Sequence, residues 1–453
     1  MNWEELLCSQ RPGDKVKNVS PSTVTRSEFE VDFDRIIFSQ PFRHLQDKTQ
    51  VFPLPEMDFV HTRLTHSLEV SSVGRSLGKN VGAALIEQNI GIGEHSPFDI
   101  AAIVGAASLA HDVGNPPFGH AGEDAISDFF INNPKALKIK EHLTPGQWHD
   151  LISFEGNAQG FRLLTRNRQQ GLKLTKATLG AFTKYPRPSL IDDKEHWRKS
   201  QKKYGFFQSE IEEFTEVAGS LGLTKLSEHE AIWARHPLAY LVEAADDICY
   251  HIIDLEDGFG LGLVTYNETR DFLAAILQDR YKPEKLAEIP GKKEQIGVLR
   301  AVAIQVLVEQ VTKTFISNHD QILNGEFDRA LTGEIAATQA LKDIVDISVD
   351  RIYRSRQVLE REAAGYEVIN GLLEPFIEAV YQKHHSNIGF SGRLKSIYRL
   401  LPEHVTYALE YQCSSVYDSV LTVTDFISGL TDSTAIAIFG TIKGANMQGS
   451  RIG

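Results

Sequence analysis

Four residues of this chain have the types and order to hold one metal ion: His66, the adjacent pair His111 and Asp112, and Asp246. A histidine beside an aspartate can put two unlike ligands on one ion. A third ligand from an earlier segment and a fourth from a much later one would close a mononuclear site. Nitrogen and oxygen donors without thiolate suit a divalent ion such as Mn, Mg, Fe, Co or Ni. Such an ion polarises a phosphate oxygen. Asp247 competes with Asp246 for the fourth position. Each residue alone is a weak signal, because a lone histidine is usually a satisfied polar residue. His120 and Glu123 form a second constellation. They lie three apart, so on a helix they face the same way. A carboxylate beside a histidine raises its pKa and fixes its tautomer, which suits acid/base work near neutral pH. The plainer reading is an exposed helix pair.

The sequence also predicts the elements that carry these residues. Ser96-Pro97-Phe98-Asp99 reads as a helix start: serine caps, proline suits the first helical position, and Asp99 sits where a capping-box carboxylate would. The apolar run 100–109 follows and delivers His111-Asp112 near its end. Gly114-Asn115-Pro116-Pro117 must then break the helix. A second helix starts at His236-Pro237 and shows an apolar stripe through Leu238, Leu241, Val242, Ala245, Ile248, Cys249 and Ile252, ending at Gly258. Asp246, Tyr250 and Asp254 recur every fourth residue and share one flank of it. An acidic residue leaning inward there is costly to bury unless paired or metal-bound.

Residues 183–205 read as an irregular basic loop, with Tyr185-Pro186-Arg187-Pro188 followed by Lys199, Lys202 and Lys203. Lys184 and Lys203 are candidate phosphate ligands; solvated loop lysines are an equal alternative. Residues 267–385 show helical spacing with many charges, as a surface-facing helical layer would. The one piece that could be a short strand lies near Thr49, Val51 and Phe52. Residues 441–453 read as a loosely held tail.

The 453 residues allow a large core, and no break in composition forces a second domain. The expectation is a single all-α domain with little or no sheet. Cys8, Cys249 and Cys413 have no paired spacing, which argues against a disulfide framework and fits a reducing cytoplasm. No uninterrupted apolar run approaches the roughly 20 residues that span a bilayer, so no membrane partner is expected. The first residues lack the basic start and apolar stretch of a signal peptide. A net charge of −13 excludes a global positive field for nucleic acid, though not a local basic groove.

Several blocks together resemble the deoxynucleoside triphosphate triphosphohydrolases of the HD superfamily, the family that includes bacterial dGTPases. They are Phe42-Arg43-His44-Leu45-Gln46-Asp47-Lys48-Thr49-Gln50, Arg63-Leu64-Thr65-His66-Ser67, His111-Asp112-Val113-Gly114-Asn115-Pro116-Pro117-Phe118-Gly119-His120, Glu155-Gly156-Asn157-Ala158-Gln159 and Ala244-Ala245-Asp246-Asp247-Ile248. The resemblance covers about residues 26–258 as an HD-type helical core and is weak beyond residue 300. Helical spacing in the rest of the chain leads to the expectation of a C-terminal helical region over about 259–440. The resemblance also implies hydrolysis of a dNTP, dGTP or others, to deoxynucleoside and inorganic tripolyphosphate, in dNTP pool control.

By this resemblance His66, His111, Asp112 and Asp246 hold one divalent ion, Mn or Mg before Fe, Co or Ni. His120 is the catalytic histidine and Glu123 orients it. Arg63, also well placed by sequence, meets the triphosphate, which carries about four negative charges. Tyr250 packs on the deoxyribose, and Asp254 and Gln50 meet the 3′-hydroxyl. The resemblance further implies a homo-oligomer, often a hexamer, with a second dNTP or single-stranded DNA as activator in some members. One departure is that Phe154 stands where some relatives carry a histidine. Two other readings remain: an HD phosphodiesterase or phosphatase for another phosphate ester, and a nucleotide- or nucleic-acid-binding regulator with a vestigial site.

Overall fold

Capping starts most of the helices that matter for the site. In the computed structural model, which describes residues 1–14, 26–51, 61–166, 172–386 and 390–445, helix α1 (Glu28–Ile37) begins at a Ser27 capping box. Helix α2 (Arg63–Glu87) begins at a Thr62–Thr65 box and α3 (Pro97–Ala110) at Ser96 with Asp99, as its sequence predicts. His111 is the C-cap of α3, so the His-Asp pair stands where a helix buried from Ile103 to Ala110 stops. Next come α4 (His120–Asn132), α5 (Gly156–Thr165) and α6 (Lys176–Phe182). Helix α7 (Pro237–Gly260) starts at His236, whose ring accepts from the Leu238 N–H, and ends two residues beyond the expected Gly258. The C-terminal part contributes α8 (Tyr266–Leu277), α9 (Lys292–Ser317), α10 (Arg356–His384), α11 (Val416–Ser428) and α12 (Asp432–Lys443). Among the described residues there is no strand, so the fold is all-α as expected.

Two hydrophobic clusters divide the interior. The first gathers α1, α2, α3, α6, α7, α8 and α9 around residues such as Val70, Leu77, Ile103, Leu109, Leu241 and Ile248. The second gathers α4, α10 and α11 around Phe129, Phe130, Leu372, Phe376 and Ile427. The chain passes from the first to the second between His111 and His120. The site residues therefore lie on a seam, and the C-terminal helices pack into both clusters rather than forming only a surface layer.

Sequence expectations fail in three places. Near Thr49 there is only an isolated bridge between Thr49 and Thr62. The Thr49 N–H donates to the Asp432 side chain instead of extending a ladder, and Phe52 lies outside the described residues. The loop 183–205 is irregular but solvated only in part: 192–197 are exposed, whereas Tyr185, Arg187 and Ser189 are buried, and Arg187 donates to the Pro188, Ser189 and Gln201 carbonyls. Residues 441–443 are the last turn of α12, closed by Gly444 in the left-handed conformation that suits a C-terminal glycine; 446–453 lie outside the described residues. Helix α9, at 26 residues, is long and apolar enough to cross a membrane. Its apolar stripe, Ile296, Leu299, Ala303, Val306, Leu307, Val311 and Phe315, is instead buried in the first cluster.

Helices α2 and α3 cross closely because α2 presents Gly74, Gly78 and Gly82 every fourth residue. A Cβ at Gly78 would stand 2.9 Å from both Ala101 Cα and the Ile100 carbonyl oxygen, and neither backbone atom can turn aside. Alanine gains about 1 kcal/mol over glycine in a helix, whereas overpacking costs about 1–3 kcal/mol. Gly78→Ala is therefore expected to lower the urea midpoint. Gly297→Ala on α9, where a Cβ meets nothing within 4 Å, is expected to raise it. Shifts of the same sign would show that this crossing does not depend on glycine.

Candidate metal centre and acid/base pair

Helices α2, α3 and α7 bring the four predicted metal ligands together. Ligand atoms of His66, His111 and Asp112 lie within 4.8 Å of one another, and all three residues are buried. Asp246 Oδ1 lies 3.2 Å from His66 Nε2 and 3.5 Å from His111 Nε2. The His111 Nδ1–H donates to the Ser108 carbonyl at 2.7 Å. That bond fixes the tautomer and leaves Nε2 as a free lone pair facing the cluster. Asp247, by contrast, accepts from the Thr332 hydroxyl at 2.6 Å and is turned to a different flank of α7. Two imidazole nitrogens and two carboxylates with no thiolate fit a divalent ion.

The carboxylates are not left bare. Arg63 Nη1 donates to Asp112 Oδ2 at 2.7 Å, and Lys184 Nζ to Asp246 Oδ2 at 2.7 Å. Burial alone would raise both carboxyl pKa values. The Arg63 guanidinium holds Asp112 below the carboxylate range, and the Lys184 ammonium holds Asp246 well below it. Burial pushes His111 down, so its ring stays neutral and able to ligate. Burial also disfavours charge on His66, but its hydrogen bond with Asp246 outweighs that and raises it. The Nδ2 amide of Asn115, beside the Pro-Pro break, donates to Asp112 Oδ1.

The loop after Asp112 leads to the second pair. Gly119 has φ +61° and ψ −130°, a region open in practice only to glycine. A Cβ there would also stand 2.8 Å from Arg63 Nη2. Arg63 thus lies between Asp112 and the start of α4. His120 Nδ1 and Glu123 Oε2 are 2.8 Å apart on that helix. The imidazole is solvent-facing, with 80% of its side chain accessible, while the carboxylate is buried. The Gly156 N–H donates to Glu123 Oε1 at 2.7 Å, so the Glu-Gly-Asn-Ala-Gln block orients Glu123. Lys203 Nζ donates to Glu155 Oε1 at 3.0 Å. Both candidate phosphate ligands, Lys184 and Lys203, therefore turn toward the site.

Tyr250 and Asp254 occupy the next turns of α7. The Tyr353 hydroxyl donates to Asp254 Oδ2 at 2.7 Å, and its ring stacks on Tyr250 at 5.7 Å. Burial pushes the Asp254 carboxyl up to about 7. Tyr353 closes a π-helical turn, Ser348–Tyr353, in a region where the sequence carries no motif. Gln50 is partly buried, and its Oε1 has no hydrogen-bond partner among the described residues.

The hydrogen bond from Glu123 raises the His120 pKa above its ordinary 6.5. Glu123→Gln removes the charge and keeps the shape. It is expected to move the ring titration of His120 to lower pH, read from its imidazole C–H resonances by NMR; an unmoved titration would separate the two residues.

No protein-family model matches the chain. Curated relatives do, over nearly its full length. It is 41% identical over 461 residues to the "deoxyguanosinetriphosphate triphosphohydrolase-like protein" of Synechocystis sp., covering 99% of this chain and 100% of the relative. A protein of the same name from Listeria monocytogenes is 36% identical over 475 residues, with 98% and 100% covered. The "deoxyguanosinetriphosphate triphosphohydrolase" of Klebsiella pneumoniae is 32% identical over 477 residues, with 89% and 91% covered. With full-length similarity at this level, the chain belongs to the deoxyguanosinetriphosphate triphosphohydrolase family of hydrolases.

Proposed function

We propose that the protein hydrolyses dGTP and other dNTPs to deoxynucleoside and inorganic tripolyphosphate, in control of the dNTP pool. The observation that carries this reading is the placement of Arg63, which spans the four-ligand cluster and the His120–Glu123 pair. One divalent ion, Mn or Mg, would be held by His66, His111, Asp112 and Asp246, and when bound it supplies positive charge against the α-phosphate oxygens. Arg63, Lys184 and Lys203 line the same region with fixed cations for the triphosphate. The Nε2 of His120, the ring nitrogen that Glu123 does not hold, carries the proton that the departing 5′ oxygen takes up as water adds at the α-phosphorus. Glu123, buried and tied to the Gly156 amide, keeps that ring oriented. Stacked Tyr250 and Tyr353, with Asp254 and Gln50, form the wall against which the deoxyribose lies.

The direct check is product analysis with Mn(II) and dGTP. Tripolyphosphate and deoxyguanosine are expected, and His111→Ala is expected to lose manganese binding and turnover together. Orthophosphate as the only phosphorus product would replace this reading with that of a phosphatase.

The family resemblance extends the reading to a cytoplasmic homohexamer activated by a second dNTP or by single-stranded DNA. Rate curves for one dNTP are expected to steepen or rise when a second dNTP is added; a hyperbola unaffected by the second nucleotide would count against activation.

A further inference from the structure

Asp432, the first residue of α12, lies 314 residues from the catalytic loop in sequence and is fully buried beside it. Its Oδ1 accepts from the Phe118 N–H at 2.9 Å. Its Oδ2 accepts from the Thr49 N–H at 3.1 Å, from the Thr49 hydroxyl at 2.8 Å and from Arg361 Nη2. Phe118 is an unusual residue to hold. Its φ is +65°, in the left-handed region that bulky side chains avoid, and it sits two residues before His120. The C-terminal helices close on it from other sides as well. The Arg361 guanidinium lies 5.7 Å from the centre of its ring. A Cβ at Gly365 of α10 would stand 2.9 Å from Phe118 Cβ, so the α10 backbone itself is the wall. Thr49, the other partner, adjoins Gln50 and Lys48, and the Lys48 ammonium donates to the Asn115 carbonyl at 2.6 Å.

We propose that Asp432 is a positioning residue for the hydrolytic reaction: it holds Phe118 in its left-handed conformation and so sets where His120 stands, while fixing Thr49 beside Gln50. The inference rests on the proposed function, in which His120 is catalytic. A left-handed non-glycine residue is strained and persists only where its surroundings over-determine it. Here the Asp432 carboxylate holds the Phe118 N–H, while the Arg361 guanidinium and the α10 backbone at Gly365 confine the Phe118 side chain. Among the described residues Asp432 makes no hydrogen bond with His66, His111, Asp112 or Asp246; its partners are Phe118, Thr49 and Arg361. Its loss should therefore misplace His120 without dismantling the metal centre.

The test uses Asp432→Ala and Asp432→Asn in the full chain, with circular dichroism, calorimetric binding of Mn(II) and dGTP kinetics. Folded Asp432→Ala is expected to bind Mn(II) and to keep KM within about threefold of the parent, while kcat falls roughly ten- to a hundredfold, as a displaced catalytic group would cause. Asp432→Asn keeps an acceptor for the Phe118 N–H and is expected to recover part of that kcat. If Asp432→Ala does not fold, the same split between kcat and KM in Asp432→Asn carries the test. Folded variants with parental kcat would overturn the proposal. So would a joint loss of Mn(II) binding and kcat, which would make Asp432 a general support of the fold. Parent enzyme and His120→Ala run alongside separate the two readings. A parent that releases no tripolyphosphate overturns the proposed function; an active parent, an inactive His120→Ala and unchanged Asp432 variants overturn only the role of Asp432.

Discussion

A buried carboxylate keeps its charge only when a cation meets it, and the metal cluster is arranged around that requirement. Asp112 and Asp246 come from different helices, and each is met at 2.7 Å by a basic side chain from a third segment: Arg63 from the start of α2 and Lys184 from the irregular segment. Without them two negative charges would face each other in a closed space at a cost of several kcal/mol per ion. With them the same charges fix the relative placement of α2, α3 and α7. The pairing also explains why residues 184–189 are buried although they lack regular structure. Lys184 reaches inward to Asp246, and the Pro188 and Ser189 carbonyls are taken up by the Arg187 guanidinium.

The same principle recurs away from the cluster. Arg162 lies between Asp425 and Glu210, with Gln159 also donating to Asp425, so α5 is bound to α11 through buried charge. His61, just before α2, is clamped by Asp257 on one ring nitrogen and Glu69 on the other. Burial disfavours its charge, but these hydrogen bonds raise its pKa to about 10. Each clamp joins elements far apart in sequence. Each therefore trades hydration for geometry, which is useful where reacting groups must be held to a fraction of an ångström.

Much of this was legible from local pattern. Ser96-Pro97 and His236-Pro237 announce helices because capping and proline preference act within four residues. The His-Asp pair at a helix end, the His120–Glu123 spacing and the shared flank of Asp246, Tyr250 and Asp254 are all short-range facts. The family pattern already favours Asp246 over its neighbour Asp247, and the Thr332 hydroxyl bound to Asp247 agrees with it. The burial of Lys184 was invisible because composition cannot tell a solvated basic loop from one folded inward. Tyr353 and Asp432 carry no local signature at all; their partners lie 99 and 314 residues away. Long-range pairing of single polar side chains is information the sequence holds without displaying.

The position of Asp432 near the end of the chain has a consequence for biosynthesis. Every predicted metal ligand lies at or before residue 246, yet the Phe118 N–H and the Thr49 hydroxyl find their acceptor only on α12. At about 5–20 residues per second, Asp432 is synthesised roughly 16 to 63 s after Phe118. Through that interval the nascent chain can collapse around its first hydrophobic cluster while the turn ahead of His120 lacks its anchor. The order of synthesis thus separates assembly of the ligand cluster from completion of the loop beside it.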